Sequence, residues 1–180
     1  MTHMNYKKLE ENIIEIIKEE QIKLGYQEET LRLYYPLSSL NQFIGAKADA
    51  EQMEKLLEEF SAEEEKILGR VGISRKGERF CLAVPPQGMR YVHEHMGENE
   101  FLVKFIQIIQ RHGCTIEDIL EVFHSYSSQV CVEKMGGEEF DYLLYFKDGK
   151  PDRFRYCITF EECHVIYHRF TEADYQEMMK

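Results

Sequence analysis

The chain has 180 residues, 43% hydrophobic and 31% charged, which is the profile of a folded, water-compatible protein with room for one ordinary domain or two small ones. Its formal net charge of -11, from 33 acidic against 22 basic residues, argues against general attraction to nucleic-acid phosphates or anionic lipid. No apolar run approaches the ~20 residues that span a bilayer.

The N-terminal stretch MTHMNYKKLEENIIEIIKEE has no uninterrupted apolar core followed by a cleavage site, so it does not read as a signal peptide and the expected address is the cytoplasm. A first helix is predicted from about Tyr6 to Leu24, with Leu9, Ile13, Ile16, Ile17 and Leu24 on one side and Gly25 as the stop. TLRLYYP then alternates Leu31, Leu33 and Tyr35 against Arg32 and Tyr34, as a half-buried strand does, and ends at Pro36. A brief helix over 37–44 carries Leu37, Leu40 and Ile44. DAEQMEKLLEEFSAEEEKIL places Met53, Leu56, Leu57 and Phe60 on one stripe and leaves a densely acidic opposite face.

GRVGISRKGERFCLAVPP reads as a hairpin. A two-residue turn at Lys76 and Gly77 sets Ile73 opposite Phe80 and Val71 opposite Leu82. GMRYVHEHM follows as a short helix, and NEFLVKFIQIIQRHG as a stronger one with Phe101, Phe105, Ile108 and Ile109 inward and Gly113 at its end. Thr115 caps TIEDILEVFHSY in a T-x-x-D pattern, with Ile116, Ile119, Leu120 and Phe123 as its buried stripe.

The remainder is a predicted antiparallel meander. VCVEK, EEFDYLLYF, DRFRYCITF and CHVIYHRF are separated by Gly136-Gly137, Asp148-Gly149 and Glu161-Glu162. Phe140, Tyr142, Leu144 and Phe146 share a face that matches Phe154, Tyr156, Ile158 and Phe160. A last short helix starts at Thr171 with Asp174 in its first turn. The candidate boundary lies in MGENE, residues 96–100, which gives an α+β chain with parts 1–97 and 98–180.

Helix, strand, short helix, helix and two strands, the order within 1–97, resembles a winged-helix module, in which the hairpin is the wing. Arg70, Arg75, Lys76 and Arg79 gather there as the candidate binding residues for a partner or a phosphate. The helix that would enter a DNA groove carries Asp49, Glu51, Glu54, Glu58 and Glu59 against Lys47 and Lys55, so nucleic acid is disfavoured and a protein partner is the better expectation. Bases at a hairpin tip also keep a strand edge from unwanted pairing, which needs no ligand at all.

Catalytic and metal sites are weakly signalled. His93 and His95 stand two apart and diverge by roughly 200° if helical. His164 and His168 share a strand face about 13 Å apart, too far for one ion; whether that face is inward depends on the Glu161-Glu162 turn, because a one-residue slip exchanges the histidines with Val165 and Tyr167. His112-Gly113-Cys114 shows no orienting third group. Five cysteines, odd in number and without C-x-x-C spacing, are expected to be buried, reduced thiols. The aromatic stripe Tyr142, Phe146, Tyr156 and Phe154 is suited to a flat ligand, but more commonly forms core. No Gly-rich phosphate cradle occurs.

EEQIKLGYQEETLRLYYPLSSLN, residues 19–41, and FDYLLYFKDGKPDRFRYCITF, residues 140–160, with HVIYHRFT behind, resemble a small bacterial family of gut anaerobic Firmicutes catalogued as a domain of unknown function. The resemblance implies a bacterial cytoplasmic protein with no known cofactor, and carries no catalytic residues across. The expectation is therefore a non-catalytic protein-binding or regulatory module without metal or cofactor. The alternatives are a DNA-binding regulator acting through the wing and a metal-dependent enzyme built on His93 and His95.

Overall fold

The structure is a computed structural model that describes residues 4–136 and 139–180. These form two compact units, one ending at Glu98 and the other beginning at Asn99. Among the described residues there are eight helices and two antiparallel sheets, an α+β fold that finishes in a helix. Gly137, half of the glycine pair expected inside the meander, and Glu138, at the start of its expected second strand, lie outside the described residues, as do the first three residues.

The first unit runs through α1 (Lys7–Leu24), β1 (Leu31–Pro36), α2 (Leu37–Ile44), α3 (Ala50–Glu63) and the single turn α4 (Glu65–Leu68). It closes with β2 (Gly72–Lys76), β3 (Arg79–Val84) and α5 (Pro86–His95). Leu9, Ile13 and Ile17 of α1, Leu40 of α2 and Met53, Leu57 and Phe60 of α3 are completely enclosed. Each such side chain contributes about 1.5–3 kcal/mol by leaving water, so these stripes, more than intrinsic propensity, hold the helices in place. Leu24 departs from its predicted stripe and is exposed. The α1 stripe instead includes Asn12, whose carboxamide oxygen accepts the Tyr35 hydroxyl at 2.7 Å and so satisfies a buried polar pair.

Helix α3 begins abruptly because Asp49 accepts the Gln52 N–H while the Gln52 side chain accepts the Asp49 N–H. The helix predicted to continue through Leu68 breaks at Glu64 (φ -94°, ψ 11°), after which α4 makes one further turn. The fully buried Ser61 donates to the Val71 carbonyl at 2.9 Å, tying α3 to the segment that enters β2.

The first sheet has the order β1–β3–β2, antiparallel throughout. Its hairpin turn is Gly77–Glu78, not Lys76–Gly77, so Ile73 lies opposite Leu82 and Arg75 opposite Phe80. Glycine then occupies the first turn position with φ 63°, the backbone region that a two-residue hairpin asks for and that lysine would enter only with strain. A shift of two residues leaves every side chain on its predicted face, and this is why the apolar matching was blind to it.

The second unit contains α6 (Glu100–Ile109), α7 (Ile116–Tyr126), β4 (Val130–Lys134), β5 (Tyr142–Phe146), β6 (Arg155–Glu161), β7 (His164–Phe170) and α8 (Glu172–Met178). The four strands pair in sequence order as a meander. Tyr142 pairs with Ile158 and Leu144 with Tyr156, as alternation predicts. Phe101 and Phe105 of α6 and Phe123 of α7 pack edge-on against Tyr156, with ring centroids 4.9–5.8 Å away. Leu102 and Ile106 complete the buried side of α6, whereas Ile108 and Ile109, expected inward, are half-buried. The side chains adjoining Phe101 and Phe105 are the ones this aromatic cluster draws in.

Candidate functional site

The four bases of the hairpin region do not form one cluster. Arg70, in the approach to β2, lies 3.6 Å from Glu65 of α4, both exposed. Arg75 shares the inner side of β2 with Ile73 and turns toward α3, where its Nε donates to Glu54 at 2.7 Å and its Nη1 to the Gly77 carbonyl at 3.2 Å. The Glu54 hydrogen bond, with Glu51 and Asp49 nearby, shifts the Arg75 guanidinium still further toward its charged form. Glu51, Glu54, Lys55, Glu58 and Arg75 line the open cleft between α3 and the hairpin.

Lys76 and Arg79 stand on the opposite, outward side of the sheet, paired across the two strands. The order β1–β3–β2 brings Arg32 and Tyr34 onto that same side, with Tyr34 opposite Cys81 and Arg32 opposite Ala83. Tyr34 is 58% exposed, and the Arg79 guanidinium is 6.0 Å from its ring centroid. Arg32 and Tyr34 were not among the candidate residues. Alternation in TLRLYYP already turned them outward, but nothing in the sequence says that β1 pairs with β3.

The histidine candidates separate as their helix predicts. His93 stacks on Tyr26 at 4.1 Å and His95 on Tyr91 at 4.3 Å, each on the exposed side of α5. Strand β7 meets β6 at a Glu162–Cys163 turn, which places Tyr167 against Phe105 at 5.0 Å and leaves His164 and His168 exposed. His112 is exposed, and the Cys114 Sγ donates to the Thr115 carbonyl at 3.6 Å. All five cysteines are free thiols, but only Cys157 is buried, and burial pushes its thiol up to about 11. Cys163 is exposed because it occupies the β6–β7 turn. Among the described residues no group of three or more His, Cys, Asp or Glu side chains is arranged to hold a metal ion.

In the aromatic stripe, Phe146, Phe154 and Tyr156 are core. Beside them sits a polar constellation that sequence reasoning did not find. Asp152, 4% exposed, accepts the Phe154 N–H and the Tyr156 hydroxyl at 2.8 Å, Asn99 Nδ2 at 3.1 Å and Arg169 Nη2 at 3.2 Å. The Arg169 guanidinium also lies 4.2 Å from the Phe154 ring centroid. Every oxygen of this carboxylate is satisfied from within the second unit, so it acts as a structural anchor.

Residues 6–179 match the family described as "Domain of unknown function, E. rectale Gene description (DUF3877)", and the chain belongs to that family. No curated protein and no solved structure matches it. No helix among the described residues is long and apolar enough to cross a membrane.

Proposed function

We propose that this member of the family is a cytoplasmic, non-catalytic protein-binding or regulatory module whose first unit uses a winged-helix-like scaffold, with β2 and β3 as the wing. Support for the scaffold comes from the element order α1, β1, α2, α3, β2, β3 and the strand order β1–β3–β2. The observation that carries the binding reading is the 2.7 Å Arg75–Glu54 contact. The wing base nearest to the acidic helix is already held by it, and Glu51 and Glu58 remain exposed beside it. A helix presenting carboxylates is repelled by phosphate and complements basic protein surface.

Affinity capture from the native lysate tests this, using the wild-type chain beside a Glu51→Lys, Glu58→Lys variant. The expected result is one partner recovered repeatedly by the wild type and depleted with the variant. Capture of no partner, together with tight duplex-DNA binding at low salt that falls steeply as salt is added, would transfer the function to the DNA-regulator reading.

A further inference from the structure

We infer that the outward face of the β1–β3–β2 sheet is a docking surface for an extended acidic segment of a partner protein. The inference rests on the protein-binding reading above and names where contact is made and with what chemistry. The face carries the cations Arg32, Lys76 and Arg79 around the exposed Tyr34, over small residues such as Gly72 and Ser74. The strand residues on this face include no carboxylate, in a chain whose net charge is -11. Among the described residues neither the Arg32 nor the Lys76 side chain takes part in an ion pair or hydrogen bond. Guarding the two edges of this sheet explains a charge on β1 and on β2; it does not explain a mostly exposed tyrosine standing between them.

Register supplies the ligand's pattern. Arg79 and Lys76 are directly paired, Tyr34 lies in the next outward row, and Arg32 in the row after that. Two rows along a strand amount to about 13 Å, so the cations form two poles with a tyrosine between them. An extended peptide with carboxylates at i and i+4 and an apolar side chain at i+2 matches these three positions, since residues two apart share a face. The face measures roughly three strands by five residues, well short of the ~800 Å² per partner of a standard interface between folded proteins. A segment fits it better than a domain. Tyr34 is a single stacking platform, where single-stranded nucleic acids use several.

The experiment is an NMR titration of the ¹⁵N-labelled full chain at low salt with a capped Glu-Ser-Leu-Ser-Glu peptide. The same peptide with lysine for glutamate, and an oligothymidylate of matching length, serve as comparisons. Amide shifts are expected at Arg32, Tyr34, Ser74, Lys76 and Arg79, with no response to the lysine peptide. Arg32→Glu with Lys76→Glu, both exposed, should weaken association about tenfold or more. Shifts that are absent, confined to α3 or indifferent to charge reversal overturn the inference. So does stronger binding of the oligothymidylate to these amides, or shifts there that depend only on protein concentration, which would give the face to a second copy. Failure of the peptide with partner capture intact refutes this surface alone; failure of both refutes the protein-binding reading.

Discussion

Two arginine–carboxylate pairs, one in each unit, have the same chemistry and opposite settings. In Arg75–Glu54 the side chains are 28% and 46% exposed at 2.7 Å, and in Arg169–Asp152 they are 5% and 1% exposed at 3.2 Å. The shorter contact is the weaker stabiliser, because water and salt screen it and two long side chains must be ordered to make it. The longer one sits where an unpaired charge would be very costly, and it is embedded in three further hydrogen bonds to Asp152. Burial rather than distance decides which pair the fold depends on, and the exposed pair is thereby free to serve recognition.

The largest effect that tests this contrast is Asp152→Ala. It should destabilise the second unit by about 3–5 kcal/mol, because Arg169 is left buried without its counter-charge, as read from hydrogen exchange of β5 and β6 amides. Asp152→Asn, which keeps oxygen and shape, should lose less. Equal losses would mean that packing, not charge, anchors the site.

An intermediate case is Glu64, where burial, then a hydrogen bond and charge from Glu10 and the charge of Glu63, push the carboxyl up to about 7. A group whose folded pKa is raised above its ordinary 4.5 stabilises most below that ordinary value, and the contribution disappears as pH rises through about 7. Because the group is partly solvated, the loss should be only about 1 kcal/mol. Urea midpoints measured from pH 4.5 to 8 should fall for the wild type and fall less for Glu64→Gln. A flat wild-type profile would remove Glu64 from the ledger.

The smallest effect is expected at the exposed pair. Arg75→Ala should barely move the urea midpoint, and what little it does should vanish at high salt. A loss comparable to that of Asp152→Ala would break the comparison and make the hairpin contact structural.

Much of the architecture could be read before any coordinates. The stripes Leu9, Ile13, Ile17 and Met53, Leu57, Phe60, the cap at Thr115, and the Tyr142–Ile158 matching follow from local periodicity and capping chemistry, which neighbouring residues settle among themselves. Both tight hairpins were displaced by two residues from their predicted registers, at Gly77–Glu78 and Glu162–Cys163. Face parity survives such a shift, so the buried sides of the first sheet were legible while the cross-strand partners were not, whereas the inward face of β7 was open in the sequence and is set by the Glu162–Cys163 turn.

What the sequence determined by itself was therefore the α+β class, the order of elements and which side of β1, β3, β5 and β6 meets the core, because these depend on spacing along the chain. Only the tertiary structure decided that Arg75 turns to Glu54, that Arg32 and Tyr34 join Lys76 and Arg79, and that Asp152 receives Arg169. Those meetings are between residues 17 to 47 positions apart, brought together by the strand order of the first sheet, the packing of α3 on its hairpin and the fold of the meander, and no local propensity encodes such adjacency.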